Sequence, residues 1–199
     1  MVRRRRMVRS FSGRTVPIEV RERILAAART APSAGNTGGW DAVVLEGPAQ
    51  TTVFWEATTT PTWRARSRRW PGLASAPLVV ALFVHPAAYL ARYAEPDKQS
   101  SGLGDDVEAW PVPYWFVDGA FGALLMLLAA TDAGLGTCFL GNFRGEEALR
   151  HALGVPADRR YLGAVLVGEP AGSDPPSRSV GRGRRPASVV HRARWGGTS

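Results

Sequence analysis

Apolar positions follow a helical period after Pro17: Val20, Ile24, Ala28 and Ala31 share one stripe of "IEVRERILAAARTA", and Pro32 closes the run. The next residues, "APSAGNTGGW", have the Pro, Ser, Gly and Asn density of a loop, and "DAVVLEG" then reads as a short apolar strand ended by Gly47 and Pro48. The pattern weakens from Gln50 to Gly72, where a short helix near "TVFWEA" precedes the basic aromatic stretch "WRARSRRW". "APLVVALFVH" is apolar without alternation, which predicts a strand covered on both faces and central in a sheet. A short helix around "AAYLARY" leads into the polar "EPDKQSSGLGDDVEAWP", long enough that residues 95–112 are a candidate active-site lid. "YWFVDGAFGALLMLLAATDAG" is apolar nearly all round at helical length, the pattern of a helix buried in a core or a subunit interface, with Gly134 as its stop. "LGTCFLG" predicts an extended segment, "GEEALRHALG" a helix and "RYLGAVLVGEP" the last clear strand, before an irregular basic tail.

The chain has 199 residues, which suits one domain covering 1–199 with a substantial core. Its net charge of +8 comes almost wholly from arginine, since Lys98 is the only lysine; the balance favours anionic partners, and genome composition explains the preference for Arg equally well. Cys138 is the only cysteine, which excludes an internal disulfide and any cysteine-based zinc motif, so no metal is expected and a cytoplasmic location is. The start lacks the apolar core of a signal peptide, and the apolar run Gly119 to Thr131, bounded by Asp118 and Asp132, is shorter than a bilayer span; no membrane partner is expected.

Motifs exclude more than they select. In "GLGTCFLG", Phe139 stands where a dinucleotide fingerprint needs its third glycine, and the glycines follow a helix instead of a strand. Lys98 lacks the glycines of a phosphate loop, and His85, His151 and His191 sit in no nucleophile or metalloprotease spacing. Absence of an acid–base kit is informative, because a cofactor that carries the chemistry asks the protein mainly for phosphate clamps and backbone donors.

In order and spacing, "RRRRMVRSF", "ILAAARTAPSAGNTGGW", "LLMLLAATDAGLGTCFLGNF", "LGVP", "VGEPAG" and "RGRRPASVVH" resemble the FMN-dependent nitroreductase family over most of the chain outside roughly residues 50–112. The resemblance implies an α+β fold, a mixed β-sheet flanked by helices, in an intertwined homodimer with FMN at the interface. It implies that Arg5, Arg6 and Arg9 meet the FMN phosphate, ribityl chain and pyrimidine edge. Met7 stands where the family usually has Ser, which puts one hydroxyl contact in doubt. Pro32, Ser33, Ala34 and Asn36 match the loop laid by the partner subunit against the flavin. Gly38-Gly39-Trp40 replaces the usual Gln-Pro-Trp, keeping the aromatic anchor and removing a polar side chain, so Gly38 and Trp40 are candidate substrate-pocket residues. Leu140, Gly141 and Asn142 fall where backbone N–H groups of the family face flavin N5 and O4, and Arg182 and Arg184 match the late basic pair on the phosphate.

The function so implied is transfer of hydride from NAD(P)H by way of flavin N5 to a small organic acceptor such as a nitroaromatic or quinone. Trp110, Tyr114 and Trp115 are candidates to wall the acceptor pocket, with ordinary core packing as the alternative. A flavin-dependent dehydrogenase, desaturase or dehalogenase acting on a natural product fits the same motifs, as does a flavin-binding scaffold without turnover. A different class, a nucleic-acid-binding protein, would use "RRRRMVR", "WRARSRRW" and "RGRRP" on phosphates and stack bases on Trp63 and Trp70, but leaves the apolar helix and the "APSAGN" loop unexplained.

Overall fold

The computed structural model describes residues 2–142, 144–172 and 189–197. Among them four strands form one sheet in the order β1-β2-β4-β3, with β1 Trp40–Glu46, β2 Leu78–Val84, β3 Gly136–Leu140 and β4 Arg160–Gly168. Every ladder is antiparallel; the parallel element is a single bridge from Met7 to Thr137 at the β3 edge. All seven residues of β2 are buried, which accounts for its unbroken apolar sequence. Val79, Ala81 and Phe83 face one core, and Leu78, Val80 and Leu82 face another.

The first core is closed by α2 (Gly47–Thr58) and α7 (Glu146–Ala152), the second by α1 (Ile18–Ala28) and α6 (Tyr114–Asp132). In α1, Ile24 and Ala28 are the fully buried positions of the expected stripe. The helix ends before Ala31, whose α conformation would clash with the ring of Pro32. Gly47 and Pro48 do more than stop β1. Pro48 occupies the first turn of α2, where its missing N–H costs nothing, and the Gln50 side chain accepts from the Glu46 N–H at 2.8 Å. The helix near "TVFWEA" therefore runs to 12 residues. "WRARSRRW" forms α3 (Pro61–Arg66) and leads into α4 (Trp70–Ala74), and α5 is Pro86–Tyr93.

Helix α6 has the length and apolarity of a membrane span, 19 residues at mean hydropathy 1.5, yet half of that window is buried inside the fold. Gly119 and Gly122 let it lie close to the sheet: a Cβ at Gly122 would meet the Trp40 ring at 3.3 Å, and one at Gly119 would meet Leu162 at 2.9 Å. Its opposite side leaves Tyr114, Phe121 and Leu124 exposed at 42%, 41% and 46%, an apolar stripe at heptad-like spacing.

Candidate active site

The segment from Arg5 to Arg9 runs alongside β3. Met7 bridges Thr137, and the Val8 N–H donates to the Thr137 carbonyl at 2.7 Å. Val8 packs against Gly136 and Phe11 bridges Pro170, just past the Gly168 partner of Gly136, so the chain after Met7 follows the start of β3; Arg5 and Arg9 are at most about 14 Å apart along the chain. Met7 does not leave an empty place where a hydroxyl is expected. Its sulfur accepts the Phe139 N–H at 3.4 Å and its side chain packs into both cores. Arg5 is half-buried with one terminal guanidinium nitrogen buried and unpartnered, and the Thr137 hydroxyl is likewise buried without a partner. A buried cationic donor with nothing to bond is costly, and an anionic ligand would satisfy it. Arg6 is exposed, and one guanidinium nitrogen of Arg9 donates to the Met7 carbonyl at 3.3 Å.

Beyond β3, Gly141 has open space where a Cβ would project, so a flat ligand can approach its backbone. Asn142 is held from behind: the Tyr161 hydroxyl donates to its side-chain oxygen at 3.0 Å. Burial, and secondarily the Glu146 carboxylate, push the Tyr161 hydroxyl above its ordinary pKa, so it stays a donor. Tyr161→Phe is expected to remove this tether at a cost of about 1 kcal/mol. Urea titration checks the loss, and faster amide exchange at Gly141 and Asn142 checks the loosening. Leu140, Gly141 and Asn142 line one side of a cleft of about 580 Å³; Trp55, Thr59 and Trp63 from the end of α2 and the start of α3 line the other.

The loop of Pro32 to Asn36 lies elsewhere. Ser33, Asn36, Gly38 and Trp40 line a second groove, of about 470 Å³, with Arg29 and Asp41. The Ser33 hydroxyl accepts the Gly38 N–H at 2.9 Å, and Gly35 and Asn36 both take positive φ, 62° and 56°. Two outside side chains hold the loop in this shape, one of them braced by a third. The Arg92 Nε donates to the Gly35 carbonyl at 2.9 Å, and Asp118 accepts from the Ala34 N–H and from the Tyr89 hydroxyl, both at 2.8 Å. Tyr89 is fully buried, and burial followed by the Asp118 hydrogen bond raises its pKa above the ordinary value. Within this chain, then, Ser33 and Asn36 line one cleft and Leu140, Gly141 and Asn142 another, while Arg5, Arg6, Met7 and Arg9 line neither.

Trp110 and Trp115, each 7% exposed, belong to a third core with Tyr89 and Val84, and the Trp110 N–H donates to the Leu103 carbonyl at 2.8 Å. They line neither cleft, and Tyr114 sits on the exposed stripe of α6. Trp70 is not an open stacking platform, being met by the rings of Trp55 and Trp63 and by Arg64 at 5.5 Å. Arg182 and Arg184 lie outside the described residues. No group of three or more His, Cys, Asp or Glu suited to a metal occurs among the described residues. Asp118, Tyr89 and Tyr161 are the site-shaping residues that sequence reading missed. A lone carboxylate inside an apolar helix was the available signal for Asp118, since such a group stays buried only when bonded.

The sequence pattern of the Nitroreductase family matches residues 2–169. A protein of Archaeoglobus fulgidus named as an NADH dehydrogenase/NAD(P)H nitroreductase is 29% identical over 198 residues, which cover 98% of this chain and 97% of that one. A nitroreductase family protein from Streptococcus pneumoniae shares the fold with TM-score 0.70 at 18% identity, over 96% of both chains. A nitroreductase from Exiguobacterium sibiricum, solved in complex with FMN, has TM-score 0.70 at 19% identity over 94% of this chain and 92% of its own.

Proposed function

The chain belongs to the nitroreductase family, and from that premise we propose that it is a homodimeric, FMN-dependent oxidoreductase taking electrons from NAD(P)H and passing them to a small organic acceptor. The observation that carries this reading is the buried, unpartnered guanidinium nitrogen of Arg5 on a segment bridged to β3, the strand that leads into Gly141 and Asn142. When bound, FMN supplies hydride acceptance and donation, the chemistry for which this chain shows no acid–base machinery.

The residues have separable tasks. By resemblance, Arg5, Arg6 and Arg9 would meet the FMN phosphate, ribityl chain and pyrimidine edge, a guanidinium fork being matched to phosphate oxygens. Arg182 and Arg184 join them by resemblance. The N–H groups of Leu140, Gly141 and Asn142 would hold the ring edge and offer preorganised donors to negative charge on it. Met7 gives no hydroxyl, its sulfur being committed to Phe139. Pro32, Ser33, Ala34 and Asn36 complete the site of the other subunit, and Gly38 widens it. The exposed stripe of Tyr114, Phe121 and Leu124 supports a second copy as the partner that covers it. Residues 95–112 act as a lid whose start is tied to Arg92 through Asp97, at 2.7 and 2.8 Å.

Absorbance of the purified protein tests this reading: a flavin spectrum that bleaches under NADH or NADPH without oxygen supports it, and colourless protein that cannot be reconstituted with FMN overturns it. Arg5→Ala is expected to weaken FMN binding about tenfold to a hundredfold, the loss of one or more hydrogen bonds to a charged group at ~1.5–3 kcal/mol each. Arg3→Ala, at an exposed position, is expected to leave it unchanged; FMN titration by fluorescence separates the two.

A further inference from the structure

The cleft beside Gly141 holds more chemistry than a flavin edge requires. The indole N–H of Trp55 is buried and unpartnered, although Trp55 is only 3% exposed and lines the cleft. An orphaned buried donor marks a place that a ligand acceptor can satisfy. Trp63, across the α2–α3 turn, is 42% exposed and offers an aromatic surface on the same wall. Arg144, exposed beside Gly145 where that glycine abuts the end of α2, also lines the cleft and has no ion-pair or hydrogen-bond partner among the described residues. Arg66, Arg68 and Arg69 follow Trp63 along the chain and are also without ion-pair partners among those residues, so no carboxylate there neutralises the field. The hydroxyls of Thr58 and Thr59 have their protons committed to the Phe54 and Trp55 carbonyls, and that of Thr60 accepts the Trp63 N–H.

We propose that this cleft is the acceptor site and that it selects a planar aromatic carrying an anionic substituent. Trp63 packs on the ring, the Trp55 N–H donates to a polar ring substituent, and Arg144 pairs with the anion. The proposal rests on the oxidoreductase reading and adds the substrate class to it. A carboxylate on the acceptor and a phosphate on the nicotinamide donor would both suit Arg144, and the two sources give different results when it is changed.

The test uses FMN-loaded, oxidised protein and reads binding by quenching of tryptophan fluorescence, so that no turnover is needed. The probes are 4-nitrobenzoate and its neutral counterpart 4-nitrobenzamide. The carboxylate is expected to bind about tenfold more tightly, as one charge-assisted contact implies. Arg144→Gln is expected to erase that preference while leaving the amide unchanged, and Trp55→Phe to weaken both probes severalfold with FMN affinity unchanged. Equal binding of the two probes, no binding of either, or a preference that survives Arg144→Gln overturns the proposal. So does an Arg144→Gln effect confined to the binding of NADPH to the same oxidised protein, which assigns the arginine to the donor's phosphate, or a Trp55→Phe effect confined to FMN affinity. Failure of the flavin reading appears separately, as protein that takes up no FMN before any probe is added.

Discussion

Replacing Asp118 with alanine is expected to destabilise the protein by about 3 kcal/mol or more, because it strands two buried donors at ~1–3 kcal/mol each. Those donors are the Tyr89 hydroxyl and the Ala34 N–H, both 2.8 Å from one carboxylate oxygen of Asp118, in the second turn of α6. In a chain of this size that loss lowers Tm by roughly 6–12 °C. Tyr89→Phe removes one of the two donors and should cost only about 1 kcal/mol. In a double-mutant cycle the two changes should couple, since they share one hydrogen bond. Additive effects would show that Asp118 acts through something other than Tyr89. The consequence for function follows from the second bond: Asp118 is what holds Ala34, and so the loop proposed to cover the neighbouring flavin. A variant kept folded at low temperature should therefore also bind FMN more weakly.

The second large effect is expected at Gly145, which caps α7 with φ 78°. An L-residue there carries the left-handed penalty of roughly 1–2 kcal/mol. It would also drive its Cβ into the carbonyl oxygen of Ala57, on the last turn of α2, and a backbone atom cannot swing aside. Gly145→Ala is thus expected to cost about 3 kcal/mol or more and to pry α2 from α7, opening the cleft between Trp55 and Gly141. Gly134, at φ 80° with nothing within 4 Å of its absent Cβ, isolates the conformational part. Gly134→Ala should cost only the left-handed penalty, about 1–2 kcal/mol. Comparable midpoints for the two variants in urea would refute the collision argument.

Both sites show where reading the chain in one dimension stops. The unbroken apolar run of β2 and the apolar circumference of α6 were legible as buried elements because burial on both faces leaves a pattern in consecutive residues. The arginines of the amino terminus and the "APSAGN" loop were legible through their resemblance to a family, which also named the cofactor. Residues 47–74 were poorly legible. Two of their three helices, α3 and α4, are short, and rings of Trp55, Trp63 and Trp70 meet there through contacts that no local period encodes. Met7 read as a missing hydroxyl, and only the packing shows its sulfur taken up by the Phe139 N–H.

Sequence alone determined the elements, the order in which they occur, the family and the kinds of residue available to an anionic cofactor. Tertiary structure decided which of those residues meet. It put Met7 on the edge of β3, with its sulfur on the Phe139 N–H, and it placed Ser33, Asn36 and Gly38 in a groove apart from Leu140, Gly141 and Asn142. It sank Trp110 and Trp115 into the core, and it made Asp118 a structural acceptor instead of an interruption. The physical reason is the range of the forces involved. Helical and strand periods are set by residues a few positions apart, whereas a buried hydrogen bond such as Asp118 to Ala34 joins groups 84 residues apart and exists only once the sheet and helices have closed around it.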